Sequence, residues 1–276
     1  MSSQAATFPL AGCFSGNRTG QMTAAVIFDI DGVLVDSPHA RAWGDSLQRL
    51  MTTRWRDVAA ATGYVPERYT FALYQQIVAG KPRQEGAAAL LEYFDIPDPD
   101  GKRARELSDL KQQMILTLIQ RGEFAAFEDG LRFILALKAR GIKLAAASSS
   151  KNANRMLQQV FLRPFCEKHC LQLPFVTSEM RLIDLFDANV SGHDFARGKP
   201  HPEILLTAAK LLGVSPDRCV VIEDAPSGVR AAKAAAMHCI GVARHGDTSL
   251  LEAAGADWVV TSLDEIDIQN LLHRLL

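Results

Sequence analysis

The sequence predicts an α/β fold: a doubly wound (Rossmann-like) parallel sheet core with an inserted helical cap domain. Three observations lead there. Short, wholly apolar runs recur along the chain, amphipathic helical patterns lie between them, and one long stretch near the start holds helical patterns alone. With 276 residues and 48% hydrophobic content, the chain has apolar surface enough for one large domain or two modest ones, each with a core.

The opening MSSQAATFPLAGCFSGNRTG lacks the basic start and continuous apolar stretch of a secretory signal, and residues 1–21 read as a flexible tail. The run from Ala24 to Ile30, ended by Asp31 and Gly32, suits a strand buried on both faces of a parallel sheet. From His39 to Glu123 the pattern is helical, with helices expected at Ala42 to Met51, Tyr69 to Ala79, Glu85 to Phe94 and Arg103 to Ile119. Breaks fall at Gly80, Pro82 and the turn cluster DIPDPDG. The expected division is a core domain of residues 22–38 and 124–276 and a cap domain of residues 39–123. Entering after the first strand, such an insert would lie over the carboxyl end of the sheet as a lid that excludes water. Further strands are expected at Ile142 to Ala147, Cys219 to Ile222, His238 to Val242 and Trp258 to Val260. Helical patterns cover Leu131 to Ala139, Ala153 to Val160, Pro202 to Leu212, Val229 to Ala236 and Leu250 to Ala254. Their alternation predicts right-handed βαβ units with a ligand crevice at the carboxyl ends of the strands.

Composition narrows the partners. Thirty basic against thirty-one acidic residues leave a formal charge of -1, with no electrostatic footprint for nucleic acid or an anionic membrane. No apolar run approaches the roughly 20 residues that span a bilayer. The five cysteines (Cys13, Cys166, Cys170, Cys219, Cys239) are odd in number and scattered, which fits a reducing cytoplasm rather than a disulfide framework. A monomer or weak dimer is expected.

Asp29 and Asp31 flank one residue at the end of the first apolar run, and Gly32 lets the chain turn so that both carboxylates can face one crevice. An isolated D-x-D-G is also an ordinary turn at a strand end. Its weight comes from three later segments that topology would bring to the same edge. Ser148 follows IKLAAA, where its hydroxyl and nearby amides can hold phosphate oxygens, with Ser149 and Asn152 as further substrate-binding candidates. Lys199 supplies a point charge for phosphate just before a helix with Pro202 near its first turn. Glu223 and Asp224 follow CVVI as hard oxygen ligands suited to Mg²⁺. Asp29, Glu223 and Asp224 would repel one another and a phosphorylated substrate unless Mg²⁺ and Lys199 joined them, with the Asp31 backbone carbonyl as another ligand. Asp29 could then attack phosphorus as a nucleophile while Asp31 serves as acid and base.

The motifs FDIDGVLVDS, AAASSSKN, GKPHPEIL and VIEDAPSGV, in this order, resemble those of the haloacid dehalogenase superfamily from about Met22 to the end. That resemblance implies a doubly wound core, a helical cap inserted after the first motif and the roles given above for Asp29, Asp31, Ser148, Lys199, Glu223 and Asp224. Asp31 stands where phosphoryl-transfer members carry an aspartate, which argues against dehalogenation. The helical stretch is similar to the β-phosphoglucomutase-like subfamily. There IVAGKPRQEG resembles a segment presenting an arginine, Arg83, to substrate phosphate, SDLKQQMILTLI one carrying a cap lysine, Lys111, and HARAW a cap start whose histidine, His39, aids proton transfer. The chain departs from that pattern by a shorter link with Pro38 between Asp36 and His39, and by a longer segment from Phe161 to Gly192. Cys166, His169 and Cys170 in that segment lack an evident fourth ligand for zinc. Hydrolysis of a sugar or polyol phosphate is the expected reaction, sugar phosphomutation the alternative, and a non-catalytic phospho-signalling module the reading from another class.

Overall fold

The computed structural model describes residues 24–275, so the tail at 1–21 and Cys13 lie outside the described residues. In chain order the strands are β1 (Ala25–Phe28), β2 (Val35–Asp36), β3 (Ala125–Ala126), β4 (Lys143–Ala146), β5 (Ala188–Asn189), β6 (Cys219–Glu223), β7 (His238–Val242) and β8 (Trp258–Val260). Six of them form one parallel sheet, ordered β5-β4-β1-β6-β7-β8. Counting only these members in chain order, the sequence across the sheet is 3-2-1-4-5-6, the doubly wound order with its switch point beside the first strand. β1 is buried on both faces: Val26 and Phe28 join one apolar core, Ala25 and Ile27 the other. That is why the strand carries no polar side chain before Asp29.

The helices His39–Thr52, Phe71–Ile77, Arg83–Tyr93 and Lys102–Gln120 pack around a third core that includes Trp43, Leu47, Leu90, Phe94 and Leu107. Local chemistry sets their ends. Thr70 accepts from the Leu73 amide to cap the second helix, and Asp98 accepts from the Arg103 and Ala104 amides at the start of the fourth. Where the chain leaves for this unit and where it returns, β2 and β3 pair antiparallel. Two-residue arms offer no periodicity, so the ribbon was not expected from the sequence.

The long segment after the β4 unit completes the core. Phe161 and Arg181 form a bridge, the helix Leu162–Lys168 and the turn at Leu182–Leu185 place Leu162, Phe165, Leu182 and Leu185 in the apolar core, and β5 then adds to the sheet edge. The helix expected at Ala153 to Val160 stops at Leu157, because the chain turns there so that the Val160 carbonyl accepts from the Leu182 amide. No helix among the described residues is long and apolar enough to cross a membrane.

Arg244 braces the turn that follows β1. Its Nε and Nη2 donate to the carbonyls of Gly32 and Val33, each at 2.9 Å, and its guanidinium covers the Phe127 ring at 3.7 Å. Nη1 donates to Asp129, whose carboxylate also accepts from Ser262 and the Leu263 amide. Removing the cation would leave a buried carboxylate without its charge partner, which costs about 3 kcal/mol. Arg244→Met is therefore expected to lower unfolding free energy by about that amount in a urea titration, whereas a change below about 0.5 kcal/mol would show that the brace is dispensable.

Candidate active site

Asp29 continues the ladder past the end of β1, its amide donating to the Ile222 carbonyl of β6 at 2.9 Å. That pairing sets it beside Glu223, the last residue of β6, and Asp224. Lys199, fully buried, donates to Asp29 Oδ1 at 2.6 Å and to Glu223 Oε2 at 2.9 Å. Oxygens of Asp29, Glu223 and Asp224 lie within 4.8 Å of one another, the only such group of potential metal ligands found among the described residues. Cys166, His169 and Cys170 therefore do not assemble a centre: Cys166 packs in the core, and His169 faces Glu128 at 3.3 Å.

Two glycines make the crowding possible. Gly32 has φ +84°, and a Cβ there would stand 2.0 Å from Asp224 Oδ2; at Gly228, it would stand 2.0 Å from the Glu223 carboxyl carbon. Burial, then the neighbouring Asp31 charge, raises the Asp29 pKa against the opposing pull of Lys199. Burial and Asp29 push Glu223 to about 7 despite Lys199, and burial with Glu223 and Asp29 raises Asp224. Lys199 itself is driven up, because the two carboxylates outweigh the burial that would lower it. Glu223 Oε1 is buried without a hydrogen-bond partner. Three crowded acids, one cation and an unused buried oxygen make a donor set that fits a small divalent ion with oxygen preference such as Mg²⁺.

Asp31 belongs to a different environment. Its side chain is outside the acidic group; Ser148 Oγ donates to Oδ2 at 3.1 Å, and His39 Nε2 lies 3.3 Å from Oδ1. Burial would raise its pKa, but His39 and further hydrogen bonding hold it at about 2. His39 is buried, as is Lys111, whose Nζ donates to His39 Nδ1 at 2.7 Å. Burial and the adjacent Lys111 charge lower the His39 pKa, while burial brings Lys111 to about 7 with Arg83 adding to that fall. One side of the crevice is thus a carboxylate trio with a lysine, the other a Lys111–His39–Asp31 chain.

Arg83 begins the helix Arg83–Tyr93 and lines the same crevice, with Lys81, Pro82, Trp43 and Tyr74 from the insert and Lys151, His193 and Phe195 from the core. Ser149 and Asn152 line it too, but both reach across to the insert: Ser149 Oγ donates to the Gly80 carbonyl, and Asn152 exchanges two hydrogen bonds with Gln112. All the residues expected to form the site therefore meet around one crevice. Gln75, Gln112, Trp43 and Tyr74 were missed. Helical periodicity tells which face is buried, not what it will meet, and nothing local in the sequence marks these four.

The fold and crevice define a class, doubly wound α/β proteins with a helical insert over a carboxylate cluster at the switch point. The chain belongs to the haloacid dehalogenase-like hydrolases, whose pattern matches residues 23–236, and within them to the β-phosphoglucomutase-like group of hydrolases and phosphotransferases. It is 33% identical to the β-phosphoglucomutase of Mycobacterium bovis over 88% of this chain and 90% of that one. It is 31% identical to the phosphorylated carbohydrates phosphatase of Thermotoga maritima over 91% and 99% of the two chains. An archaeal β-phosphoglucomutase structure from Pyrococcus sp. strain ST 04 superposes with a TM-score of 0.63 at 28% identity, covering 90% and 96% of the chains.

Protons and a cation compete for the raised carboxylates, since each acid must ionise to bind metal. Below the folded-state value of about 7, Glu223 is mostly protonated; above it, the charge is free for the ion. The gain in melting temperature on adding Mg²⁺ should accordingly be larger at about pH 8 than at about pH 5.5. An equal gain at both values would contradict this account of the cluster.

Proposed function

We propose that the chain is a Mg²⁺-dependent phosphatase that hydrolyses a small phosphorylated sugar or polyol through an aspartyl-phosphate on Asp29. The observation that carries this is the division between Asp29 and Asp31, two carboxylates at one strand end whose surroundings push their pKa values in opposite directions. Asp29, Glu223, Asp224 and the Asp31 carbonyl would hold Mg²⁺, which when bound neutralises charge on the transferring phosphoryl group. Lys199 fixes the Asp29 carboxylate through its 2.6 Å hydrogen bond and neutralises charge beside it.

An Asp29 oxygen attacks phosphorus as the bond to the sugar oxygen breaks. Asp31 delivers a proton to that oxygen. Because the resting Asp31 is ionised, the proton reaches it through His39 Nε2 at 3.3 Å, with Lys111 behind on Nδ1. Water then attacks the phosphorylated Asp29 while Asp31 takes up a proton, releasing phosphate and restoring the carboxylate. Ser148 steadies Asp31 and offers a hydroxyl and amide environment for phosphate oxygens. Residues 39–123 act as the cap, with Arg83 meeting the distal part of the substrate and the covered crevice limiting access of water.

Sugar phosphomutation is the second reading, favoured by the insert being closed onto the core through Ser149 and Asn152, and by relatives named β-phosphoglucomutase. With water held out, phosphoryl-Asp29 would pass its group to another sugar hydroxyl. Incubation with β-glucose 1-phosphate and a trace of glucose 1,6-bisphosphate separates the two: free phosphate supports hydrolysis, and glucose 6-phosphate without phosphate release supports mutation. A phosphate-release screen over sugar, polyol and nucleotide phosphates identifies the substrate.

Arg83→Ala should reduce kcat/KM on the phosphorylated sugar so identified by roughly tenfold to a hundredfold, the worth of one charge-assisted contact. Activity on p-nitrophenyl phosphate, which has no distal group to orient, should change little at saturating Mg²⁺. Equal kinetics on the sugar phosphate would remove Arg83 from the site.

A further inference from the structure

Gln75 lies on the insert helix Phe71–Ile77, is 2% exposed, and reaches the carboxylate cluster of the core. Its Nε2 stands 3.3 Å from Asp224 Oδ2, 3.3 Å from the Asp224 carbonyl oxygen and 3.1 Å from Asp247 Oδ2. The Asp224 backbone carbonyl can only accept, so the amide nitrogen faces this cluster, and the buried Oε1 is left without a partner. The same oxygen, Asp224 Oδ2, abuts Gly32, where even a Cβ would stand 2.0 Å away. The carboxylate is thus in contact with both a position that admits no side chain and an amide carried by the insert.

The helix bearing Gln75 is fixed at both ends. Phe71 packs on His245 with ring centroids 4.0 Å apart, and beyond the other end Ser227 Oγ donates to the Ala79 carbonyl at 2.8 Å. Asp247, itself 7% exposed, fixes the amide's rotation as a second acceptor. A lysine or arginine at this position would neutralise Asp224 and compete with a bound cation; a glutamine orients the carboxylate and leaves its charge free.

We infer that Gln75 is a positioning residue that couples closure of the cap to the orientation of Asp224, so that the metal-binding set is complete only when the insert rests on the core. This deepens the reading above, in which Asp224 helps hold Mg²⁺. Linkage makes the coupling reciprocal: if closure improves the metal site, the metal favours closure. In the open state the amide withdraws and Asp224 loses its orienting donor.

Calorimetric titration of the substrate-free full chain with Mg²⁺ alone, comparing wild type with Gln75→Leu and Gln75→Asn, tests this. The leucine removes the donor at similar volume; the asparagine keeps the amide but falls one methylene short. Both should raise the Mg²⁺ dissociation constant about tenfold, with the half-saturating Mg²⁺ for p-nitrophenyl phosphate turnover moving equally. At saturating Mg²⁺, kcat should return to within about twofold of wild type, a rescue that general destabilisation would not give. If Gln75→Leu fails to fold, Gln75→Asn decides alone. An unchanged dissociation constant in a folded variant, or a kcat loss that Mg²⁺ does not restore, overturns the coupling while leaving the phosphatase reading intact. Wild-type protein that takes up no Mg²⁺ overturns the metal reading itself, and the coupling with it.

Discussion

Lys199 Nζ lies between Asp29 and Glu223, fully buried, and much of the site depends on that placement. The two acids end adjacent parallel strands, so the sheet holds them side by side whether or not their charges agree. One ammonium cannot balance Asp29, Glu223 and Asp224, and burial, with the repulsion among the acids added to it, raises all three carboxylate pKa values. A buried ion pair contributes little net stability once desolvation is counted. Its consequence here is chemical: the surplus negative charge suits the cluster to a cation.

Much of this was legible in the sequence because the signals are local. Apolar runs ending in FDIDG, AAASS and VIED place polar residues at strand ends, and parallel topology then gathers them without further information. The insert was legible for the same reason, as helical periodicity with turn clusters at its breaks. The ribbon of β2 and β3, the edge strand β5 and the early stop at Leu157 were not, because two-residue arms and a chain reversal carry no period. Ser149 and Asn152 were assigned to substrate from their segment alone, but their side-chain partners are Gly80 and Gln112, more than a helix length away in sequence. Gln75 shows the limit most clearly. A glutamine on a short amphipathic helix carries no local sign that it will be buried against two acids.

The insert and core divide the work by distance from phosphorus. In the proposed reaction the core carboxylates and Lys199 hold the transferring group, while Trp43, Tyr74 and Arg83 are the insert's contribution to the lining of the same crevice. On that reading, specificity would reside in insert residues that do not touch the carboxylate cluster, which sets Gln75 apart from them. His39 and Lys111 are exceptions, since they stand in the insert but act on Asp31. If Asp31 is the acid/base carboxylate, its protonation would depend on these insert contacts.

The central claim is that Asp29 becomes covalently phosphorylated. Rapid acid quench of a single turnover, followed by borohydride reduction and peptide mass mapping, tests it directly, since an acyl phosphate at Asp29 would be reduced to homoserine at that position. The account predicts homoserine at residue 29 and an intact aspartate at residue 31. Turnover with neither residue labelled during the reaction, or with the label at Asp31, would contradict it.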